Sequence, residues 1–296
     1  MQAYKILVLF SLYCITIYSL DAQVTLDSLM RKEAPNSVKE LLSPNHIELT
    51  VDESIEIEDR SPAFAAYRDN LFITGIPLNR RITNSSADAL FQVSIRQRLT
   101  KTVFPFNTFA YLTYTQKSFW QIYEKSSPFK DNDYNPGLGI GKYIIHGNKL
   151  TGAAFLQLQH ESNGRTGDES RSWNFLSFTG KYFLNSWISL RAEAWIPYVD
   201  GENNKNLIDY KGYGIFSVNV INSSKRWWLS LDITPRKGIG NGNLALGIAY
   251  RIAKKSYQYT FLQFYNGYSE KLLEYDKYSN YLRIGICLKP DFYSLY

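Results

Sequence analysis

From Leu244 to Ile252 every second residue is apolar: Leu244, Leu246, Ile248, Tyr250 and Ile252 alternate with Ala245, Gly247, Ala249 and Arg251. Successive side chains of a β-strand point to opposite faces, so such a segment has one apolar wall and one small or polar wall. The same period recurs in Phe91, Val93 and Ile95, and again in Leu282, Ile284, Ile286 and Leu288. Twelve stretches of this texture can be traced after Ala63, the first centred near Phe72 and the last near Ile284. A soluble sandwich would alternate in the same way, and the connections separate the two. Between the fourth and fifth stretches lies only HGN, between the sixth and seventh NS, between the eighth and ninth NSS, and between the tenth and eleventh KK. Connections after the odd-numbered stretches are long and polar, such as YEKSSPFKDNDYNP and DGENNKNLIDYK. Short turns on one rim, long loops on the other and an even strand count describe an outer-membrane barrel. The expected fold is therefore all-β, a twelve-stranded antiparallel transmembrane β-barrel over residues 63–296, with both termini in the periplasm.

Composition agrees with that fold. Aromatic residues make up 16% of the chain and hydrophobic residues 45%, which suits interfacial girdles and a wall with one apolar and one polar face. The first twenty-two residues carry Lys5, an apolar run from Ile6 to Leu20 and then Ala22, the layout of a secretory signal peptide cleaved after Ala22. Cleavage removes Cys14 and leaves Cys287 alone, so no intrachain disulfide is expected. No later segment reaches eighteen consecutive apolar residues, which excludes a transmembrane helix. Residues 23–62 are polar and acid-rich and read as a periplasmic N-terminal extension, and the aromatic end DFYSLY fits a barrel-assembly signal. The net charge of +6 is spread without a basic block, so affinity for anionic headgroups is expected and a nucleic-acid partner is not.

The stretch FLQLQHESNGRTGDESRSWNFLSF carries the candidate chemistry. Alternation places Leu156, Leu158, His160 and Ser162 on one face and Gln157, Gln159 and Glu161 on the other. The leucines assign His160 and Ser162 to the outer, lipid-facing wall. Asn174, Leu176 and Phe178 repeat the pattern on the next strand. If Ser162 pairs with Ser172, His160 stands opposite Asn174 with Cα atoms roughly 4.5 to 5.5 Å apart. Those three residue types suffice for a hydrolase: a serine nucleophile, a histidine base, and an amide that fixes the imidazole tautomer. A bare H-x-S also opens many polar loops, so the whole string matters more than the three residues.

H-E-S-N-G-R, a short variable loop and S-R-S-W-N resemble the signature of the outer-membrane phospholipase A family, and TYTQKSFWQ with SSPF and DYNP upstream resembles the same family's preceding region. The resemblance spans about Ala110 to the C-terminus. It implies a twelve-stranded barrel, hydrolysis of phospholipids and lysophospholipids at either acyl position, calcium dependence and activation by homodimerisation. It implies His160 as base, Ser162 as nucleophile and Asn174 as the third member. It further implies calcium bound by the Arg165 carbonyl and the Ser170 hydroxyl, with Ser126 contributed by the other subunit. Gln116 matches a glutamine of the family's dimer interface; it shares a face with Leu112 and Tyr114, so its amide is expected to project toward lipid without a partner. The sequence departs from the family where an acid often stands two residues after the arginine. Here that position is Gly167, followed by Asp168 and Glu169, which read as solvated loop acids, and this departure leaves the existence of an accessory calcium site open. Two other readings remain open from the residues alone: a passive channel or structural barrel, and an esterase of soluble substrates.

Overall fold

The computed structural model of the chain describes residues 46–100, 103–253 and 256–296. The signal segment 1–22 and the first part of the extension lie outside the described residues. Two short strands, β1 (Ile47–Glu48) and β2 (Phe64–Ala66), precede twelve long ones. These are β3 (Asn70–Pro77), β4 (Asp88–Arg98), β5 (Phe109–Trp120), β6 (Phe129–His146), β7 (Lys149–Ser162), β8 (Ser172–Phe183), β9 (Ile188–Tyr198), β10 (Gly214–Ile221), β11 (Trp227–Pro235), β12 (Gly242–Arg251), β13 (Gln258–Gly267) and β14 (Ser279–Leu288). Each of the twelve pairs antiparallel with its chain neighbours, and β14 returns to pair with β3. The sheet is thus a closed twelve-stranded barrel with no open edge. All twelve expected strand centres fall within these strands.

The alternation resolves into an inverted protein. On β7, Leu158 is 62% exposed on the outside whereas Gln157 is 1% exposed within. On β14, Ile284 and Ile286 face outward while Arg283 is buried in the lumen. An apolar exterior around a polar interior is what lipid selects, because the solvent outside is hydrocarbon. No helix among the described residues is long and apolar enough to cross a membrane.

Side chains fill most of the lumen. At the short-turn end, Tyr111, Tyr143 and Phe155 pack with Leu49 and Ile57 from the N-terminal segment and with Phe292, Tyr293 and Leu295 from the tail. Helix α1 (Val51–Arg60) is started by a reciprocal cap in which Thr50 and Glu53 bond each other's backbone N–H groups. Its Glu58 carboxylate accepts from Tyr111 Oη (3.0 Å) and Tyr143 Oη (3.4 Å). Residues 46–62 therefore cap this end of the barrel, and β1 adds to β7. The DFYSLY residues lie past β14 and join the same cluster rather than extending the wall. Toward the long-loop end, Arg283 holds Asp88 through two hydrogen bonds (2.8 and 3.0 Å) and also pairs with Glu270, while Lys271 stands 3.5 Å from Asp88. A cavity of about 380 Å³ remains, lined by charged side chains such as Lys117, Glu193 and Lys211 and by rings such as Phe119 and Trp228.

Three connections differ from expectation. The segment YEKSSPFKDNDYNP is half strand: β6 begins at Phe129, because Asp131 and Asp133 turn inward and accept the backbone N–H groups of Leu273 and Leu272. The link from β4 to β5 sits on the short-turn rim yet runs from Leu99 to Thr108. The stretch 199–213 also holds a helical turn, α2 (Leu207–Lys211).

Candidate active site

Strands β7 and β8 pair in the expected register, with Ser162 opposite Ser172 and His160 opposite Asn174. His160 Nδ1 lies 2.9 Å from Asn174 Oδ1. Ser162 stands two residues further along on the same outer face. Among the described residues no hydrogen bond joins its hydroxyl to the ring. Residues i and i+2 of a strand are separated by nearly two 3.3 Å rises, so the contact requires the two side chains to lean together. Such bonds are commonly long before substrate binds.

The lumen side of the same strand is anchored. Glu161, between His160 and Ser162, accepts from Trp173 Nε1 (2.7 Å) and pairs with Lys211 of α2 (2.9 Å). Trp173 and Trp195 are buried, packed edge to face with Leu207 and Ile208 beside them, so both serve packing rather than substrate. Next to His160 the β6–β7 register omits Asn135 and Pro136. A proline has no N–H to give to a ladder, and Asn135 Nδ2 donates to the His160 carbonyl instead (2.9 Å).

The loop from Asn163 to Arg171 is organised by one buried side chain. Asn163 Oδ1 accepts the N–H groups of Arg165 (3.3 Å) and Arg171 (3.0 Å), and its Nδ2 donates to the Glu169 carbonyl (2.8 Å). Gly164 has φ +65°, and a Cβ there would meet the Tyr134 ring at 2.9 Å, so only glycine serves. The Arg165 guanidinium is drawn aside to the Lys130 carbonyl and to Glu169. Ser170 caps the turn by donating its N–H to the Gly167 carbonyl (3.0 Å), and among the described residues its hydroxyl takes no hydrogen bond. Ser126 is exposed in the neighbouring loop between β5 and β6.

The Asn163–Arg171 loop is tied to the loop after β9. Asn204, fully buried, bonds both backbone groups of Ser172, at 2.9 Å to its carbonyl and 3.4 Å from its N–H. Asn203 reaches the Gly167 carbonyl (2.9 Å). Asp200 Oδ2 accepts from Asn174 Nδ2 (2.9 Å), and its Oδ1 accepts from the Ser172 hydroxyl (3.2 Å). Across the mouth, Glu274 pairs with Lys130 (2.8 Å) and Lys277 (2.9 Å). Burial opposes its ionisation, but the two ammonium groups prevail and hold its carboxyl down at about 2.

Sequence reasoning singled out His160, Ser162 and Asn174, of which the structure brings His160 and Asn174 into contact, and it missed the residues that hold them. Asn163 carried a local signal, since an asparagine before glycine folds its side chain onto following backbone. Asp200 and Asn204 carried none, because their partners lie about thirty residues away in sequence. Gln116 also differs from expectation: its amide is already engaged, accepting from Tyr114 Oη (3.0 Å) and donating to Ser118 Oγ (3.1 Å). Asp168 and Glu169 sit exposed on the loop, as solvated acids do. Among the described residues no three His, Cys, Asp or Glu side chains gather as a metal site.

The family model described as phospholipase A1 matches residues 68–288. Among relatives, the phospholipase A1 of Proteus vulgaris is 30% identical over 220 residues, covering 71% of this chain and 72% of that protein. That of Escherichia coli K12 is 30% identical over 212 residues, covering 68% and 70%. Among solved structures, outer membrane phospholipase A from Escherichia coli superposes with a TM-score of 0.68 at 23% identity, covering 78% of this chain and 100% of that one. The Salmonella typhi outer membrane phospholipase dimer with bound calcium gives 0.67 at 23%, covering 76% and 92%. The chain belongs to the phospholipase A1 family, a phospholipase built as a twelve-stranded β-barrel of the bacterial outer membrane.

Proposed function

We propose that the chain is a calcium-dependent serine hydrolase that cleaves acyl esters of membrane phospholipids and lysophospholipids at either acyl position, and that it acts as a homodimer. The observation that carries the reading is the 2.9 Å contact of His160 Nδ1 with Asn174 Oδ1, two residues from Ser162 on a wall of apolar and aromatic residues such as Leu158, Leu176, Phe178 and Ile196. An amide oxygen facing Nδ1 requires the proton there, which leaves the Nε2 lone pair free to act as base. Ser162 Oγ attacks the ester carbonyl while Nε2 takes its proton, and the tetrahedral intermediate collapses as His160 protonates the departing alkoxide. Water, deprotonated by the same nitrogen, then releases the acyl group from Ser162. The leucines beside the site hold acyl chains in the plane of the wall, which favours a lipid over a soluble ester.

The candidate calcium donors fit the ion in kind, being neutral oxygens with the Ser170 hydroxyl uncommitted, and hard cations prefer such ligands. Calcium would be held by the Arg165 carbonyl and the Ser170 hydroxyl, with Ser126 of the partner subunit completing the set. When bound it supplies positive charge toward a developing oxyanion. The bound calcium and the dimeric state of the Salmonella typhi structure support calcium dependence and dimer formation in this chain. Segments 23–45 and 46–62 would face the periplasm, with the long loops outward.

Purified protein in detergent, assayed on phospholipid with and without chelator, tests the reading. Ser162→Ala and His160→Ala should abolish hydrolysis while the barrel stays folded, and Asn174→Ala should lose less because it removes neither nucleophile nor base. Hydrolysis at the parental rate in Ser162→Ala, or in excess chelator, would contradict it.

A further inference from the structure

We propose that Asp200 is a positioning residue for the triad, a carboxylate that holds the Asn174 amide in its working orientation and places a negative charge one link behind the imidazole. This rests on the triad reading and deepens it. The argument begins with the amide itself. Asparagine presents an oxygen and a nitrogen of nearly equal size, and only the oxygen can accept the Nδ1 proton of a neutral or protonated imidazole. An ionised carboxylate accepts and never donates, so the group facing Asp200 Oδ2 at 2.9 Å has to be the Asn174 NH2. With nitrogen committed to Asp200, oxygen faces His160 at 2.9 Å. The flipped amide would set oxygen against carboxylate on one side and N–H against N–H on the other. Asp200 therefore selects the Asn174 rotamer, and through it the His160 tautomer.

A loop carboxylate could do this only if the loop were fixed, and it is. The residue after Asp200 is Gly201, where a Cβ would lie 1.9 Å from Asn204 Oδ1 and 2.9 Å from the Ser172 carbonyl oxygen. The close approach lets Asn204, buried on the lumen side, clamp both backbone groups of Ser172. Two residues beyond Ser172 along β8 is Asn174, so the segment bearing Asp200 is stitched to the strand that it serves. Leu207 and Ile208 bury the far end of the loop against Trp173 and Trp195. Asp200 Oδ1 also accepts from the Ser172 hydroxyl (3.2 Å), which leaves the carboxylate two bonds that both disfavour its rotation.

The chemistry follows from charge. A neutral amide orients an imidazole but stabilises imidazolium poorly. Asp200 polarises Asn174 by taking a hydrogen bond from its nitrogen, which makes the oxygen a better acceptor as His160 becomes cationic in the transition state. The effect acts on the chemical step rather than on lipid binding, because Asp200 reaches substrate nowhere in this chain of contacts.

The test is a double-mutant cycle on Asp200 and Asn174, with kcat and KM measured on micellar phospholipid and folding checked by heat-modifiable gel mobility. Asp200→Ala should lower kcat about tenfold, the rate equivalent of one charge-assisted hydrogen bond near solvent, with KM unchanged. Asp200→Asn keeps an acceptor oxygen without the charge and should recover part of that loss. In the Asn174→Ala background, Asp200→Ala should cost less than twofold, since its route to His160 is gone. Nitrogen spectra of labelled histidine should show the Nδ1–H tautomer of His160 in the parent and in Asp200→Asn, and a mixture in Asp200→Ala. Should Asp200→Ala fail to fold, the Asp200→Asn kinetics and tautomer decide. Parental kcat in Asp200→Ala, or full additivity with Asn174→Ala, overturns the proposal. Parental kcat in Asn174→Ala alone overturns the triad reading instead.

Discussion

Replacing Asn163 with alanine should release the loop that carries the candidate calcium donors. The side chain makes three bonds to backbone: two accepted at Oδ1, from Arg165 (3.3 Å) and Arg171 (3.0 Å), and one donated to Glu169 (2.8 Å). A net protein hydrogen bond is worth about 0.5 to 1.5 kcal/mol, and the 3.3 Å contact belongs at the bottom of that range. The three together come to about 2.5 kcal/mol. Water can reach the rim and replace part of this, so about 2 kcal/mol should appear as easier loop opening, roughly a thirtyfold change in the opening equilibrium. Amide exchange at Arg165 and Arg171 should accelerate by that factor, whereas exchange in β8 beyond Trp173 should not change. The calcium concentration for half-maximal turnover should rise by a comparable factor, because the Arg165 carbonyl would no longer be held. Asn163→Asp retains the double acceptor and should sit between parent and alanine. Unchanged exchange at Arg165 and Arg171 in Asn163→Ala would refute the view that this side chain organises the loop.

Other expectations follow from the same structure. Arg283→Met leaves the buried Asp88 and Glu270 without their shared cation and should destabilise the barrel by about 3 to 5 kcal/mol in urea titrations. Adding Asp88→Asn and Glu270→Gln should restore most of it, and a loss below 1 kcal/mol in the single variant would contradict the pairing. Glu274 has a carboxyl held near 2 against an ordinary 4.5, so its contribution is complete above 4.5 and is lost as pH falls from there toward 2. Proteolytic nicking of the 268–278 loop should increase over that window, and Glu274→Gln should show the increased nicking at every pH, with no step. Gln116 already bonds Tyr114 and Ser118, so pairing across a dimer exchanges contacts rather than creating them. Gln116→Ala should weaken the proposed dimer by only about threefold in sedimentation experiments, near the 0.6 kcal/mol average of in-membrane hydrogen bonds, and a hundredfold loss would contradict this.

The wall was legible because lipid enforces a strict two-residue period, and every expected strand centre lies in a strand. The β7–β8 register was legible for the same reason, since sliding by one residue would turn His160 into the lumen. What escaped was structure without a period. The first residues of β6 read as loop chemistry, and Asp131 and Asp133 look solvated until the loop at Leu272 and Leu273 is placed against them. The N-terminal segment reads as polar and detached, yet Glu58 is buried because two tyrosine hydroxyls await it inside the barrel. Asp200 and Asn204 sit in a stretch of loop-forming residues and acquire meaning only when that loop folds back over Ser172 and Asn174.

With His160 and Ser162 as the proposed base and nucleophile, their outward aim changes what concentration means for this enzyme. A substrate that arrives sideways through the leaflet is counted per unit of surface, not per unit of volume. Diluting a suspension of proteoliposomes with buffer leaves the neighbourhood of Leu158 and Phe178 unaltered, whereas mixing inert lipid into the same bilayer thins it. Turnover should therefore follow mole fraction in the membrane and ignore bulk molarity. The rate becomes a reading of how many intact phospholipids share the outer wall's own leaflet.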